Sequence, residues 1–519
     1  MSGAARVRRF AGVVALAGLA LLGVSGCGGG GGGSGSTSSA APAAGGTLHV
    51  SQGEEVITLD PLEALDLSSV NVVSQIEETL FRVTASGENE PWLVSGVEKS
   101  PDQKVWTLRL RQGVKFSNGD PMTSADVLFT LEQARKSANW SSVLEGIAKV
   151  TAPSPETIVI ANRKPAPELP AILSQWSFGI VPKGYGGATA KEFAQHPIGT
   201  GPFMLGSWKR GESLMLDRNP HYWGDGQPYL DEVVFQAVPD SNSRVSQLKG
   251  GQLDVVYSPP WAQIAALESA PELEVGEYPL GFSEFLILNT RRPLFADKRV
   301  REAVDLAVNR EDIVGAATNG LGEPAGSWFA PTVPYQDASI EPTARDVAKA
   351  KQLLAAAVGD GIDPSFTLAT RSENSFWATA AQIVQQNLEE VGFEVKLQSF
   401  DEASMLELLG AGDFDAGALE LYDAVPSPSE PIAFYNGFEG LWSGAPTTKT
   451  TKLAEAAASE VDPGKRERLY HEFQQVLAEE KAILPLVYLP FVWAHRTAVT
   501  GFTVGTTGTP WFAETGFAE

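Results

Sequence analysis

The chain contains a single cysteine, Cys27, which lies between an apolar run and a glycine tract. One cysteine cannot form a disulfide within the chain. A nucleophilic thiol needs a base and a shaped pocket beside it, and the neighbouring glycines provide neither. The chemistry of this thiol is therefore expected to be modification and not catalysis.

The residues before Cys27 have the layout of a secretory signal. Three arginines and no acidic residue precede the apolar residues 10–22, and this stretch is shorter than the roughly 20 residues that a membrane span needs. Residues 22–27, LGVSGC, resemble a bacterial lipobox, in which the cysteine becomes the new N-terminus and carries lipid. We expect residues 1–26 to be a signal peptide and Cys27 to be lipidated. The alternative is an ordinary signal peptide with a chance cysteine.

Residues 27–46 are expected to form the lipidated cysteine and a flexible tether. From residue 28 to 46 the segment contains only Gly, Ser, Thr, Ala and Pro, a composition that cannot bury enough apolar surface to order itself. The folded body would then be held on the outer face of the cell membrane, outside the cytoplasm.

Composition excludes some classes of partner. The chain has 519 residues and a net charge of −24, and removal of the first 26 residues, with three Arg and no acid, would make it more negative still. Such a surface repels phosphate backbones, so we expect no nucleic-acid partner. The length predicts two or three domains.

No motif indicates a metal, a cofactor or a catalytic residue. The five histidines show no i, i+3 or i, i+4 pair. His471-Glu472 begins like a zinc motif, but Gln475 stands where the second histidine is required. Neither a GxSxG nucleophile elbow nor a phosphate-binding loop ending in GK[ST] is present in the sequence.

Local patterns predict strands and helices of an α/β protein. Trp106, Leu108 and Leu110 alternate with polar residues, as in a half-buried strand. Thr123, three residues before Asp126, is typical of a helix start. Further along, the segments 364–372, 393–400 and 413–423 read as strands and 375–392 as an amphipathic helix, which indicates a parallel α/β unit.

The segment 104–135 resembles the extracytoplasmic solute-binding proteins of the peptide and nickel ABC transporter family. The matching residues are LRQGVKF, GDP and TSADVLF. The resemblance covers about residues 46–505 and continues in order through four further motifs: PIGTGPFML (197–205), LDRNPHYWGDGQPYLDEVVFQAVPD (216–240), LKGGQLDVVY (248–257) and LNTRRPLFADKRVREAVDLAVNREDIV (288–314).

The resemblance implies an α/β, two-lobe periplasmic-binding-protein-like fold of the class II type, with an extra subdomain in lobe I. Lobe I would comprise 47–283, including the subdomain 82–196, and lobe II 284–487. Residues 488–519 would return to lobe I. A hinge is expected near residues 283–288 and 486–491.

The resemblance also implies a function without chemistry. A peptide or peptide-like solute would bind between the lobes and pass to the permease subunits of an ABC importer, with the receptor acting as a monomer. The alternatives are a non-peptide solute, such as a nickel chelate or an oligosaccharide, an extracellular hydrolase, or a surface sensor that no longer transports.

Ligand-binding residues are expected at strand ends facing the space between the lobes. Asp423 is the nearest match to an acidic residue with which relatives pair a peptide amine, although the loop 421–431 departs from the family pattern. The other expected ligand-binding residues are Gln52, Gly53 and Glu54 after the first strand, and Arg371 and Trp377 at the end of another strand and the start of its helix.

Overall fold

The computed structural model describes residues 42–84, 87–372, 375–422, 427–429, 431–432, 448–505 and 508–518. The predictions of a signal peptide, of lipidation at Cys27 and of ligand binding by Asp423 fall outside the described residues. Within the described part of the chain, no helix is both long enough and apolar enough to cross a membrane.

Strands run through the whole body of the protein. In the described residues they are β1 (Thr47–Gln52), β2 (Phe81–Val83), β3 (Asn89–Pro91), β4 (Val94–Lys99), β5 (Val105–Leu110), β6 (Ile147–Ser154), β7 (Thr157–Asn162), β8 (Phe203–Lys209), β9 (Ser213–Arg218), β10 (Glu232–Ala237), β11 (Val255–Tyr257), β12 (Leu273–Leu288), β13 (Glu323–Pro324), β14 (Ser365–Arg371), β15 (Glu394–Phe400), β16 (Ala416–Tyr422), β17 (Ile483–Arg496), β18 (Val499–Thr500), β19 (Thr503–Val504), β20 (Pro510–Trp511) and β21 (Gly516–Phe517).

Helices cover the strands. In the same described ranges they are α1 (Leu67–Ile76), α2 (Ser124–Ala134), α3 (Leu169–Ile172), α4 (Ala190–Phe193), α5 (Ser241–Lys249), α6 (Ile264–Glu268), α7 (Pro293–Ala296), α8 (Lys298–Ala307), α9 (Arg310–Ala317), α10 (Val347–Gly359), α11 (Ser375–Val391), α12 (Glu402–Ala411), α13 (Thr448–Ser459) and α14 (Pro463–Glu480), with 3₁₀ turns at Trp176–Phe178, Lys183–Gly187 and Trp261–Gln263.

One large mixed sheet organises the fold. Its order is β15-β14-β16-β12-β17-β11-β1-β10-β9-β8, and β13 pairs with β17. We call β11, β1, β10, β9 and β8 the first half-sheet and β15, β14 and β16 the second half-sheet. Strand β1 is parallel to β10 and β11, and β14 is parallel to β15 and β16. Each half-sheet is therefore built around parallel strands with helical crossovers.

Two long antiparallel strands connect the half-sheets. Strand β12 has 16 residues and β17 has 14. Strand β12 pairs with β16 of the second half-sheet, β17 pairs with β11 of the first, and the two pair with each other. Their pairing register shifts between Tyr278 and Phe282 and again between Glu284 and Phe285. Both shifts lie within or just before the predicted hinge segment.

Separate hydrophobic cores support the two half-sheets. The first core lies around β1 and α1 and includes Leu48, Val50 and Phe235. The second core lies around β12, α8 and α11 and includes Phe285 and Trp377. A third cluster supports a four-stranded sheet, β4-β5-β7-β6, which we call the small sheet. The lobe boundaries themselves stay a prediction.

Several local predictions are confirmed. Strand β5 buries Trp106, Leu108 and Leu110 while its alternate residues are at least partly exposed. Helix α2 begins directly after Thr123, whose backbone N–H donates to Oδ2 of Asp126 at 2.7 Å. Capping of this kind satisfies an N–H that the first helical turn leaves without a partner.

Candidate functional site

The carboxyl ends of the parallel strands in the two half-sheets point toward each other. Tyr257, the last residue of β11, pairs with Trp493 of β17. Tyr422, the last residue of β16, pairs with Phe282 of β12. Since α/β folds bind ligands beyond the carboxyl ends of their strands, the space between these two edges is the candidate binding cleft.

Three of the predicted residues, Gln52, Gly53 and Glu54, lie at the edge of the first half-sheet. Gln52 is buried, donates to the carbonyl of Ser68 at 3.2 Å and accepts from Asn71 at 3.1 Å. Its amide is therefore used to fix the start of α1. Gly53 is half-buried and Glu54 is exposed, so these two residues leave backbone and carboxylate groups accessible at the edge.

A buried arginine holds the same edge together. Arg244 of α5 donates to the carbonyls of Val238 at 2.7 Å and Ser258 at 3.0 Å, which follow β10 and β11. A Cβ added to Gly53 would lie 3.6 Å from the Arg244 guanidinium. Burial lowers the pKa of Arg244, and the negative charge of Asp240 opposes that shift. Sequence reasoning did not identify this residue.

On helix α11, which packs against the second half-sheet, Trp377 is fully buried and supports an acidic group on a crossing strand. Its indole Nε1 donates to Oε2 of Glu284 at 2.7 Å. Glu284 lies on β12 and is itself fully buried. Trp377 therefore does not form an open wall of the cleft in this structure. Its indole holds the carboxyl group of Glu284 on β12, the strand next to β16.

Arg371 and Glu420 lie beside this carboxyl group. Arg371 ends β14, Glu420 lies on β16, and their charged atoms Nη1 and Oε1 are 3.7 Å apart. Both side chains are largely but not fully buried, with 21% and 25% of their area exposed. Because they retain contact with solvent, a ligand entering the cleft can reach them.

The electrostatics of this cluster favour a proton on Glu284. Burial raises its pKa well above the ordinary glutamate value, the nearby charge of Glu420 raises it further, and the Trp377 hydrogen bond and Arg371 act in the opposite direction. Removing an ionised carboxylate from water costs free energy unless a cation or hydrogen-bond donors compensate for the lost hydration. Burial and Glu420 therefore favour the protonated form of Glu284, which lies beside the contact between Arg371 and Glu420.

Aromatic side chains line the crossing strands between the two edges. Phe282 and Phe491 stack with their ring centroids 6.4 Å apart, and Tyr257 packs on Phe491 at 5.9 Å. The hydroxyls of Tyr257 and Ser283 are buried and have no hydrogen-bond partner among the described residues. These groups form an apolar layer between the two edges, in which two hydroxyl groups are buried without a hydrogen-bond partner in the described part of the chain.

The region around the small sheet also contacts the second core directly. Glu168, next to α3, accepts from the hydroxyl of Tyr470 at 2.7 Å and from the hydroxyl of Ser427 at 2.8 Å. Nearby, Lys164 pairs with Glu455 at 3.1 Å. Burial raises the pKa of Glu168, and the hydrogen bonds from Tyr470 and Ser427 lower it. We call the Glu168–Tyr470–Ser427 contact the clasp.

The structure brings together some of the predicted site residues. Arg371 and Trp377 meet around Glu284 and Glu420, while Gln52, Gly53 and Glu54 lie on the opposite half-sheet. Glu284 was missed, although a lone acid inside the apolar run FSEFLIL is an unusual signal. No group of three or more His, Cys, Asp or Glu side chains in the described residues has the arrangement of a metal site.

Residues 88–440 match the family described as bacterial extracellular solute-binding proteins, family 5 Middle. The glutathione-binding protein GsiB of Salmonella paratyphi A is 28% identical over 470 residues, which cover 88% of this chain and 91% of that relative. This relative therefore matches almost along its full length.

Solved structures show the same fold. The periplasmic binding protein DppA from Helicobacter pylori, in complex with the peptide STSA, has a TM-score of 0.80 and 26% identity and covers 92% of this chain and 99% of its own. AgaA from A. tumefaciens R10, in complex with agropinic acid, has a TM-score of 0.80 and 27% identity, with 91% and 99% covered. The family match extends over more than half of the sequence, and the chain belongs to the bacterial extracellular solute-binding proteins of family 5, the substrate-binding receptors of ABC transporters.

Proposed function

We propose that this protein captures a peptide or peptide-like solute between two lobes and delivers it to the permease of an ABC importer. The observation that carries the proposal is the pair Arg371–Glu420 near the carboxyl edge of the second half-sheet, with Glu284 beside it on β12 and Gln52 to Glu54 on the opposite edge. A peptide has a charge of each sign at its ends, and this edge offers both signs.

Arg371 is the proposed partner of the ligand carboxylate. Its guanidinium already pairs with Glu420 at 3.7 Å, a distance longer than an ideal hydrogen bond. A carboxylate in the cleft can form a shorter, charge-assisted contact with the same group. Glu420 and Asp423 are the proposed partners of the ligand amine, and Gln52, Gly53 and Glu54 the proposed contacts from the opposite edge.

Trp377 and Glu284 act as positioning residues in this proposal. Both are fully buried, and Glu284 lies beside the ion pair that would meet the ligand. Their hydrogen bond fixes the start of α11 against the crossing strand β12. They would keep Arg371 and Glu420 in place while the lobes move.

Closure is expected to follow from ligand contacts made only when both lobes meet. The lobes are proposed as 47–283 with 488–519 and as 284–487, joined near the register shifts of β12 and β17. A solute that contacts both edges stabilises the closed state and shifts the population toward it. The permease would then recognise the closed form.

The proposed setting is the outer face of the cell membrane. A lipid on Cys27 and the tether up to residue 46 would hold a monomeric receptor near its permease and raise its effective concentration there. The layout of residues 1–27 in the sequence supports this anchor.

A non-peptide solute is the second candidate. The match to AgaA, whose structure contains agropinic acid, supports it. The loop 421–431 also departs from the pattern of peptide-binding relatives, because SPS replaces its acidic residues.

Two experiments test the proposal. Mass spectrometry of the small molecules released by denaturing the protein from its native host should identify a peptide or a peptide-like compound. Calorimetry with glutathione, the peptide STSA and agropinic acid then ranks the candidates, and Arg371→Gln should weaken the best ligand strongly. Arg109→Gln, an exposed arginine of the small sheet paired with Glu98, is the matched control. Turnover of a bound solute would instead indicate a hydrolase, and wild-type affinity in Arg371→Gln would contradict the proposed site.

A further inference from the structure

The ion pair Arg371–Glu420 offers a solute both signs of charge at one place. Its charged atoms, Nη1 and Oε1, lie 3.7 Å apart, and the two side chains keep 21% and 25% of their area exposed. A solute that reaches the carboxyl edge of the second half-sheet therefore meets a cation and an anion at almost the same point.

The strands hold these two charges close together. Glu420 lies on β16, the strand between β14 and β12, and Arg371 is the last residue of β14. In the parallel pairing of β14 with β16, Ala369 is opposite Gly417. This register places Arg371 within one residue of the level of Glu420. The short spacing of the pair is therefore set by the sheet.

The third acid of the cluster adds no second negative charge when it is protonated. Glu284 is fully buried and lies directly opposite Glu420 in the pairing of β12 with β16. Burial raises the pKa of Glu284 well above its ordinary value and the charge of Glu420 raises it further, while the Trp377 hydrogen bond and Arg371 act in the opposite direction. The cluster then carries one cation, Arg371, and one anion, Glu420.

A balanced pair of this kind disfavours a solute with a single charge. A lone carboxylate would compete with Glu420 for Arg371, and a lone ammonium would compete with Arg371 for Glu420. Either one weakens the existing pair, and this loss is larger for side chains that are mostly shielded from water than for exposed ones. A solute with both charges exchanges one pair for two charge-assisted contacts.

The spacing of the pair also selects the spacing of the solute charges. In an amino acid the ammonium nitrogen and the carboxyl carbon are bonded to one carbon and lie about 2.5 Å apart. In an extended dipeptide the terminal charges are about 6 Å apart, because each added residue lengthens the chain by about 3.3–3.6 Å. The first spacing matches a cation and an anion that are 3.7 Å apart, and the second does not.

On the basis of the function proposed above, we propose that the cleft recognises an amino-acid head group of its solute, an ammonium and a carboxylate on one carbon, through Glu420 and Arg371. The solute is then an amino-acid derivative, or a peptide joined through a side chain, in which this head group stays free. The rest of the solute would extend toward Gln52, Gly53 and Glu54. Glu284 is a positioning residue that acts through Glu420, since its own side chain is fully buried.

Two isomeric dipeptides test the spacing. γ-Glutamylalanine has a free ammonium and a free carboxylate on one carbon. α-Glutamylalanine has the same atoms and the same net charge, but its peptide bond occupies that carboxyl position. Calorimetry on the full protein should show that the γ isomer binds about tenfold more tightly or better. N-Acetyl-γ-glutamylalanine, which lacks the ammonium, should bind more weakly than the γ isomer by a similar factor.

Substitutions separate contact with the solute from a structural effect. Glu420→Gln should weaken γ-glutamylalanine about tenfold or more and leave the affinity for the N-acetyl compound nearly unchanged, because that compound has no ammonium to lose its partner. Arg371→Gln should weaken both compounds, since both keep the carboxylate. Glu98→Gln, an exposed acid of the small sheet paired with Arg109, is the matched control and should change neither affinity.

The other outcomes decide against the proposal. It is overturned by equal affinity for the two isomers, by tighter binding of the α isomer, or by an absence of γ-glutamylalanine binding at millimolar concentration. The isomer comparison uses the wild-type protein, so it decides even where a variant does not fold. If the peptide STSA binds and is weakened by Arg371→Gln while the isomers bind equally, the cleft takes an ordinary peptide and only the head-group assignment fails. If Arg371→Gln binds every probe like the wild type, the proposed receptor site fails as well.

Discussion

The indole N–H of Trp377 donates to the carboxyl group of Glu284 at 2.7 Å, and both side chains are fully buried. The bond joins the first turns of α11 to the crossing strand β12. It thereby links the element that follows Arg371 to the segment where the register of the crossing strands shifts. A change at either residue should therefore affect stability and ligand binding together.

We expect Trp377→Phe to lower the free energy of unfolding by about 1–3 kcal/mol, because the buried carboxyl group of Glu284 then loses the hydrogen bond from the indole N–H. Urea unfolding measures the change. A double-mutant cycle with Glu284→Leu should return a coupling energy clearly different from zero. Additive effects of the two substitutions would show that the hydrogen bond has no energetic role.

The raised pKa of Glu284 predicts how stability depends on pH. Because the folded state binds this proton more tightly than the unfolded chain, its stabilising contribution is complete below the ordinary value of about 4.5. The contribution is lost as the pH rises toward the higher folded pKa. Glu284→Gln keeps a neutral acceptor for Trp377 and does not titrate. As the pH rises over this range, the free energy of unfolding of the wild type should therefore fall relative to that of the variant. A constant difference between the two proteins from pH 4.5 upward would contradict the assignment.

The local elements could be predicted because their signals lie within a few residues. The alternation of Trp106, Leu108 and Leu110 gives strand β5, and Thr123 with Asp126 gives the start of α2. The order of strands in the large sheet has no such local signal. The resemblance implied two lobes and a return of the chain to the first lobe, but no strand order, since pairing between β1 and β10 joins residues that lie far apart in the sequence.

The candidate site was predicted only in part for the same reason. Arg371 and Trp377 stand at recognisable positions, the end of a strand and the start of a helix. Glu284 looks like one residue of an apolar strand, and its partner Trp377 lies 93 residues further along the chain. The sequence pattern therefore predicted the strand ends and could not predict the carboxyl group that the fold places behind them.

The clasp should control how readily the cleft opens. Glu168 receives hydrogen bonds of 2.7 Å from Tyr470 and 2.8 Å from Ser427, so it connects the region of the small sheet to the second core. Glu168→Ala removes both contacts and should increase the radius of gyration of the ligand-free protein in small-angle scattering. The same variant should bind solute more weakly, because closure of the lobes is then no longer stabilised by these two hydrogen bonds.

The neighbouring pair Lys164–Glu455 is the matched control for the clasp. It spans the same two regions, but both side chains are more than half exposed, and exposed pairs contribute little. Lys164→Ala should therefore leave the scattering profile unchanged. Equal profiles for Glu168→Ala and the wild type would show that the clasp does not hold the lobes together.

Cys27→Ser should release the protein from the membrane. The prediction follows from the apolar residues 10–22, the LGVSGC motif and the absence of any other cysteine in the sequence. Burial of acyl chains contributes about 0.8 kcal/mol per CH₂, and more than one chain is needed for a durable anchor. Without the thiol no lipid can be attached at this position, so the variant should move from the membrane pellet to the soluble fraction in cell fractionation. Ser36→Ala, a substitution in the tether, should leave the protein in the pellet. Retention of the Cys27→Ser variant in the pellet after a high-salt wash would show that the chain is held by something other than a lipid on Cys27.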